Sequence, residues 1–437
     1  MNKLAKKLKN KLFNIIDEME NHKHLFVKKC DKDFSRKRKL SFSTMLHLLL
    51  SMNGNTLNKE LLDYFNYNVQ TASSSAFIQQ RHKISAAALE FLFREFNNEI
   101  KVKKLYNGYR LIAVDGSDMT YAPNPKESDC FFQTSENAKG YNIVHLNAFY
   151  DLLNRTYTDA YIQPRRNYNE HKAFTAMADR YREPYKTIFI ADRGYESYNN
   201  FAHVDENGYY YLIRVKDINS KGGMMHSFGF SDTEFDVDIE RFITRRQTNE
   251  VKRNPDKYKY LSGKAVFDYL PSGEKGTYKI KIRAVRIKTS EDTYECLITN
   301  LPREHFDVQA LKELYKMRWG IETSFRELKY SIGLANFHSK KSEFVQQEIF
   351  ARLIMYNFCE MITTNVIIRN KPRKHTYQAN FTMAVRICKE FFTQKCCRTP
   401  INIEALIQKY ILPIRKDRQY YINKKPKSAA SFIYRIA

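Results

Sequence analysis

The chain has 437 residues, a length typical of two or three domains with a substantial hydrophobic core. Hydrophobic residues make up 43% of it and aromatic residues 14%, which is the composition of a folded protein rather than a basic disordered tail. Its 73 Lys and Arg against 48 Asp and Glu give a formal net charge of +25, which favours a polyanionic partner through phosphate neutralisation and counterion release. A membrane surface, or charge that serves only solubility, is the alternative interpretation.

No stretch of the sequence reaches the roughly 18 to 20 apolar residues of a membrane span. The first dozen residues interleave lysine with leucine but lack the apolar core and cleavage site of a secretory signal. Seven cysteines are scattered, and only Cys396 and Cys397 are close in sequence, a spacing that does not suit zinc. We therefore expect a cytoplasmic protein in a reducing compartment, with no membrane partner and no structural zinc.

The first hundred residues are predicted to be helical and basic. Apolar periodicity predicts helices at 42–52, 57–64 and 76–96, the last with a break near Ile84. Basic clusters at 36–39 and 81–83 flank these helices, as in a helical DNA-binding module. A plain helical bundle with solvated charges is the alternative.

The pattern then changes to strands. Residues 111–117 form an apolar run that ends in Asp115 and a turn, and residues 187–194 repeat this arrangement with Asp192. Two further strands are predicted at 143–150 and 157–162, and helices at 169–181 and 197–204. Both aspartates are thus expected where a buried strand leaves its sheet.

Residues 209–299 are rich in β-branched and aromatic residues and predict a mostly β insertion. Its strands are expected at 209–215, 264–269, 278–287 and 294–299, with glycine-containing turns between them. Beyond it, residues 344–368 predict a long apolar helix, and the basic tail is expected to be partly helical.

A predicted helix between the insertion and that long helix carries a stripe of functional residues. Four side chains fall on one arc about 60° wide, at offsets of 0, 3, 7 and 14: Tyr315, Arg318, Glu322 and Lys329. A neighbouring apolar stripe can dock on a core: Leu311, Leu314, Ile321, Phe325, Leu328 and Ile332. The four groups span roughly 20 Å, which suits a nucleic-acid backbone better than a small-molecule pocket. Trp319 lies off the stripe and is expected to pack in the core.

Asp115, Asp192 and Glu322 are the candidate catalytic and metal-binding residues. Strand ends of an α/β sheet converge at one edge, so three carboxylates could meet there and bind two divalent cations about 4 Å apart. Such a pair of cations supports in-line displacement at phosphorus, and oxygen ligands favour Mg²⁺, for which Mn²⁺ can substitute. Arg318 and Lys329 could grip phosphates beside them. Taken singly, an aspartate before glycine is usually a turn former.

With these residues in place, the chain resembles a DDE transposase of the bacterial insertion-sequence group named for its Tyr-x2-Arg-x3-Glu-x6-Lys signature. That signature is matched by Tyr315, Arg318, Glu322 and Lys329, and the blocks around Asp115 and Asp192 fit the other two acidic motifs. The similarity runs from about residue 111 to 356.

The resemblance implies an α/β fold: a ribonuclease H-like catalytic core interrupted by the β insertion, with an N-terminal helical DNA-binding domain and a helical C-terminal region. The expected division is 1–104 for the DNA-binding domain, 105–208 and 301–370 for the two parts of the core, 209–300 for the insertion and 371–437 for the basic C-terminal region. It also implies that the three acids hold the metals, while Tyr315, Arg318, Lys329 and Arg193 contact DNA.

The implied activity is cut-and-paste transposition: cleavage at the element ends, a DNA hairpin and its resolution, then strand transfer into target DNA. The implied assembly is a homodimeric synaptic complex with the transposon ends and target DNA, associated with the bacterial nucleoid. Relatives that form hairpins can hold a flipped base on an insertion aromatic, but the only tryptophan here, Trp319, lies outside the insertion. Two other functions stay open: a sequence-specific DNA-binding protein that has lost catalysis, and a ribonuclease H-like structure-specific nuclease.

Four further residues near the proposed site are expected to be structural rather than catalytic. The spare acids are Asp118 and Glu327, and the helix-start residues are His171 and Lys172.

Overall fold

The computed structural model describes residues 3–290, 293–368, 376–394 and 399–414. They form a mixed α/β structure with one large sheet and helices on both of its faces. Cys396, Cys397 and most of the basic C-terminal tail lie outside the described residues. No helix within the described ranges has the length and apolar character required to cross a membrane.

The N-terminal part is helical, as predicted. Its helices are α1 (Lys3–Asn21), α2 (Phe42–Ser51), α3 (Leu57–Tyr64), α4 (Ser74–Arg81) and α5 (Ala86–Asn98). The break expected near Ile84 separates α4 from α5. Each helix from α2 to α5 begins after a serine or threonine whose hydroxyl accepts a hydrogen bond from a first-turn N–H, which satisfies one of the donors that a helix start leaves free.

One sheet extends through the centre of the molecule. Its strands are β1 (Tyr109–Tyr121), β2 (Phe131–Phe132), β3 (Tyr141–Asp151), β4 (Thr156–Pro164), β5 (Lys186–Ala191), β6 (Tyr210–Val215), β7 (Phe235–Thr244), β8 (Tyr258–Tyr260), β9 (Thr277–Ser290) and β10 (Thr293–Thr299). The order is β2-β3-β1-β5-β6-β10-β9-β7-β8, and β4 also pairs with β3. β1 is antiparallel to β3 and parallel to β5, which is in turn parallel to β6.

The strands of the predicted insertion continue this same sheet, because β6 pairs with β5 on one side and with β10 on the other. The expected strand at 264–269 is wrong, since these residues form turns. The guanidinium of Arg245 holds the backbone in and around this segment, because it donates to the carbonyls of Ser262, Ala265 and Leu270. The side chain of Phe267 is buried in the core. β7 and β8 were not predicted.

The remaining elements cover the sheet or follow it. They are α6 (Glu170–Arg180), α7 (Tyr198–Glu206), α8 (Asn249–Arg253), α9 (Val308–Met317), α10 (Trp319–Tyr330), α11 (Ser342–Thr363), β11 (Tyr377–Ala379), α12 (Phe381–Thr393), α13 (Ile403–Lys409) and β12 (Ile411–Pro413). α6 and α7 pack on one face of β1 and β5, while α10 and α11 pack on the other face of β1. The predicted long apolar helix is α11, and its core also includes the buried side chains of α1 to α5.

A buried charge network joins the N-terminal helices to α11. Arg81 of α4 is 2% exposed and donates to Glu348 Oε1 (2.8 Å) and Gln347 Oε1 (2.9 Å) of α11. His338 lies 3.0 Å from the other oxygen of Glu348. Burial raises the pKa of Glu348, but Arg81 and His338 outweigh it and hold the pKa well below its usual value. Arg81, which belongs to a predicted basic cluster, is therefore a structural residue.

Replacing Arg81 with methionine should destabilise the protein by about 3–5 kcal/mol, because it leaves Glu348 buried without its main partner. Urea denaturation measures this. The control is Lys28→Met, which removes the partner of the more exposed Glu343 and should cost no more than about 1 kcal/mol. Equal effects of the two substitutions would contradict the assigned role of the buried pair.

His47 of α2 makes part of the stability depend on pH. Its ring lies 4.4 Å from that of Phe13 and 6.2 Å from that of Phe392, and burial with the charge of Lys9 lowers its pKa to about 4. Since the unfolded chain binds more protons between that value and the usual pKa of about 6.5, stability should fall as the pH decreases through this range. In His47→Phe, the stability lost between pH 7 and pH 4.5 should be smaller by about 2 kcal/mol in denaturant titrations. An unchanged loss would show that other groups dominate.

Candidate active site

The site begins where the parallel pairing of β1 and β5 ends. β1 pairs with β5 only as far as Val114 opposite Ala191, but it pairs with β3 as far as Tyr121. Asp115 therefore lies within β1, and the prediction that its strand ends there is wrong. Asp192 does follow directly after β5. The two aspartates share one edge because parallel strands end together.

Electrostatics shows that the three predicted acids are brought together. The pKa of Asp115 is raised to about 6, first by burial and then by the charges of Asp192 and Glu322. The backbone N–H of Gly116, which donates to Asp115 Oδ1 (2.8 Å), and the charge of Arg318 oppose this increase. Asp192 is half-buried and accepts a hydrogen bond from the N–H of Gly194 (2.8 Å).

The predicted single helix is two helices, α9 and α10, joined at Arg318. The regular pattern of hydrogen bonds is interrupted there, since the N–H of Arg318 donates to the carbonyl of Tyr315, three residues back. The dihedral angles of Arg318 stay helical, so the axis continues with little change. The predicted apolar stripe is confirmed, with all of its members buried: Leu311, Leu314, Ile321, Phe325, Leu328 and Ile332.

Arg318 and Glu322 form an ion pair next to Asp115. Arg318 Nη2 donates to Glu322 Oε1 (2.8 Å), and the arginine is 6% exposed, whereas the glutamate is half-buried. The Nε of Arg318 and the hydroxyl of Tyr315 are buried without a hydrogen-bond partner among the described residues. Each buried polar group that stays unsatisfied costs about 1–3 kcal/mol.

Lys329 anchors the other end of α10 to β1. Its ammonium group donates to Ser117 Oγ (2.8 Å) and to the carbonyl of Asp118 (3.1 Å). Arg193, the remaining predicted DNA-contacting residue, is exposed next to Asp192. The expectation that Trp319 packs in the core is wrong: it is 61% exposed and lies against the guanidinium of Arg318 (5.3 Å).

A second layer of charged residues, which sequence reasoning missed, lies on the α6 side of β1. The ring nitrogens of His145 lie 2.7 Å from Asp118 Oδ1 and 3.0 Å from Glu170 Oε1. Both ring nitrogens thus face carboxylate oxygens, an arrangement that favours the protonated imidazolium form. Burial lowers the pKa of His145, but these two hydrogen bonds outweigh it and raise the pKa above its usual value. No sequence signal predicts the strand register that places His145 opposite Asp118.

Three of the four other residues noted near the site, Glu327, His171 and Asp118, have structural partners. Glu327 accepts a hydrogen bond from the hydroxyl of Tyr356 (2.9 Å) and pairs with Arg155. His171 lies 2.9 Å from the side-chain nitrogen of Asn200. Asp118 also accepts from Arg165 Nε (2.9 Å), in addition to its contact with His145.

The donors suit a hard divalent cation, because carboxylate oxygens are the ligands that Mg²⁺ and Mn²⁺ prefer. The raised pKa of Asp115 also shows crowded negative charge, which a cation would relieve. As the side chains stand, no group of three or more Asp, Glu, His or Cys in the described ranges is placed to hold a metal ion. Glu322 is instead paired with Arg318.

A family model described as a transposase DDE domain matches residues 106–358. This range covers more than half of the 437 residues and includes Asp115, Asp192 and Glu322. The chain belongs to the DDE transposase domain family.

Curated relatives are transposases of bacterial insertion sequences. The chain is 22% identical over 249 residues to the transposase for insertion sequence element IS231F from Bacillus thuringiensis subsp. israelensis, an alignment that covers 52% of this chain and 51% of that protein. It is 32% identical over 75 residues to the putative transposase InsL for IS186A from Escherichia coli (strain K12), covering 17% and 20% of the two chains. The DDE transposase chain thus spans about half the length of the first relative and a fifth of the second.

Among solved structures, the chain is similar to one described as a cryo-EM structure of the piggyBac transposase synaptic complex with hairpin DNA. The identity is 10% and the TM-score 0.45, over 98% of this chain and 87% of that one. A similarity at this level carries no weight for fold or function.

Gly116 of the transposase should not tolerate a side chain. A Cβ there would lie 2.3 Å from His145 Nε2 and 2.9 Å from Glu170 Oε1, and both groups are fixed by their ion pairs. Gly116→Ala should therefore lower the free energy of unfolding by about 1–3 kcal/mol in urea titrations. The control is Gly276→Ala, whose Cβ would make an ordinary contact of 3.7 Å with Leu270 and should have little effect. A neutral Gly116→Ala would mean that His145 and Glu170 can move.

Proposed function

We propose that this chain is a cut-and-paste DNA transposase of the group with the Tyr-x2-Arg-x3-Glu-x6-Lys signature. It would cleave at the ends of its element, through a hairpin intermediate, and join those ends to target DNA. The observation that carries the proposal is the convergence of Asp115, Asp192 and Glu322 on one edge of the sheet, within the range matched by the DDE family.

Asp115, Asp192 and Glu322 would hold two Mg²⁺ ions, or Mn²⁺ in their place. Such ions activate a water or a 3′-hydroxyl and stabilise the leaving oxygen of an in-line displacement at phosphorus. The role of the protein would be to supply negatively charged ligands at a half-buried edge of the sheet, where electrostatic interactions are stronger than in water.

The cations of α10 and of the β5 end would orient the DNA. Arg318 presents a planar guanidinium suited to bidentate contact with a phosphate, and its Nε has no partner among the described residues. Lys329 and Arg193 add positive charge along the same edge, and the buried hydroxyl of Tyr315 is a further donor. α10 extends from Trp319 to Tyr330. Arg318 and Lys329, which lie near its two ends, would therefore contact different phosphates along the DNA backbone.

The sheet order supports the ribonuclease H-like core as part of this proposal. Strands β4, β3 and β1 are antiparallel neighbours, and β5 and β6 then add in parallel. We assign residues 105–208 and 301–370 to this core, 209–300 to an insertion that extends its sheet, 1–104 to DNA binding and 371–437 to a C-terminal region. A homodimeric synaptic complex, in which both element ends are held together, completes the assignment.

The test is cleavage of DNA that carries an element end, with purified protein and Mg²⁺. Asp192→Asn should reduce cleavage by more than about a hundredfold, which exceeds the loss seen on removing groups that only support metal ligands. Binding of the same DNA, measured by gel shift, should change little because the variant keeps the basic surface. Asp205→Asn is the control, since Asp205 is half-buried on α7 and bonded to Asn300.

Other results point to the alternatives. Binding without Mg²⁺-dependent cleavage by the wild type would favour a DNA-binding protein derived from a transposase. Equal cleavage of DNA with and without an end sequence would favour a structure-specific nuclease. Unchanged cleavage by Asp192→Asn would overturn the assignment of the acids. A hairpin product on a denaturing gel tests the proposed intermediate.

A further inference from the structure

Glu170 lies beside the residues that follow the two proposed metal-binding aspartates, close to Gly116 in β1 and to Gly194 after β5. It is the first residue of α6, where the side chain of Asn169 caps the helix. A Cβ at Gly116 would be 2.9 Å from one Glu170 oxygen, and a Cβ at Gly194 would be 3.7 Å from the other. The carboxylate thus occupies space beside the residue after Asp115 and close to the turn after Asp192.

A rigid clamp holds this carboxylate. His145, whose side chain is 6% exposed, bonds Glu170 with one ring nitrogen and Asp118 with the other. Asp118 is fixed in turn by Arg165, and the ring of Tyr168 packs on both Arg165 (3.8 Å) and His145 (4.6 Å). Glu170 is therefore held on the side of the sheet away from α10, because Gly116 and Asp118 alternate with Asp115 along β1.

A buried hydroxyl lies among these carboxylates. Tyr195 is 2% exposed, and its oxygen has no hydrogen-bond partner among the described residues. Burial raises the pKa of its phenol well above the usual value, and the charges of Glu170, Asp115 and Asp192 add to that effect. A buried hydroxyl without a partner is the kind of group that an ordered water satisfies.

We propose that Glu170 is a positioning residue of the metal centre, clamped by His145 behind Asp115 and Asp192, and that its carboxylate raises the affinity of this centre for divalent cations. The inference rests on the proposed function. Glu170 would act from the outer layer, through its charge and through its position beside Gly116 of β1 and the turn at Gly194. Groups in this position orient metal ligands, and their loss typically lowers metal affinity about 10–100-fold.

The experiment compares Mn²⁺ binding by the full-length protein and its variants, measured by calorimetry with and without end DNA. Glu170→Gln should raise the dissociation constant about tenfold or more, while gel-shift affinity for DNA stays near that of the wild type. Cleavage by this variant should be restored by higher Mg²⁺, which a merely destabilised protein would not show. Glu170→Asp keeps the charge and should bind Mn²⁺ more tightly than Glu170→Gln.

The matched control is Asp179→Asn, at the other end of the same helix. Asp179 also bonds one nitrogen of a histidine, His203, whose second nitrogen bonds Asp268. Its loss should leave the Mn²⁺ dissociation constant unchanged. If Glu170→Gln fails to fold, Asp118→Asn, which loosens the clamp, should raise the dissociation constant to a smaller degree.

Two negative results are distinguishable. A wild-type protein that binds no Mn²⁺ would overturn the metal site of the proposed function itself. A wild type that binds Mn²⁺, with Glu170→Gln folded and equal to it in affinity, would overturn only the role assigned to Glu170.

Discussion

The crowding of negative charge at one edge of the sheet is the constraint on which the rest of the site depends. Burial raises the pKa of Asp115, and Asp192 and Glu322 lie close enough that their charges raise it further. A fold that only needed stability would separate them, because like charges brought together at a half-buried position oppose folding. The protein offsets this cost locally: Arg318 pairs with Glu322, and backbone N–H groups donate to both aspartates.

Two layers of helix support these charged residues on one face of β1. The first layer is α10, anchored by Lys329 to Ser117 and by the buried face of Ile321 and Phe325. Behind it, α11 is buried along nearly its whole length and is tied to α4 by the buried pair of Arg81 and Glu348. The N-terminal helices share this core with α11. Displacement of one of them would therefore disturb the packing of α11 beneath α10.

Local patterns predicted the elements of this site better than their pairing. Apolar periodicity placed α2, α3 and the start of α4 to within a few residues, since this signal depends only on positions close together in the sequence. The end of β1 was misplaced because the strand continues along β3 after β5 stops, and such a continuation depends on a partner distant in sequence.

The same limit explains the errors in side-chain environment. Trp319 is apolar and was assigned to the core, but it is exposed at the start of α10, where its ring lies against the guanidinium of Arg318. Residues 264–269 have the composition of a strand, yet they form turns, and Arg245 donates to the carbonyls of Ala265 within them and of Leu270 just after them. No sequence pattern indicated His145 and Glu170, because the contact between their side chains depends on the register of β3 on β1 and on the packing of α6.

α6 is tied to neighbouring elements by a histidine that bridges two carboxylates at each of its ends. At its start, His145 bridges Glu170 of α6 and Asp118 of β1; at its end, His203 of α7 bridges Asp179 of α6 and Asp268 of the insertion. Asn199 also bonds Asp268 through both its side-chain groups, which fixes that loop. A hydrogen-bonded bridge has a directional preference that an apolar contact lacks, so each end of α6 has a defined position. The placement of the insertion is thereby coupled, through one rigid helix, to the layer of residues behind Asp115 and Asp192.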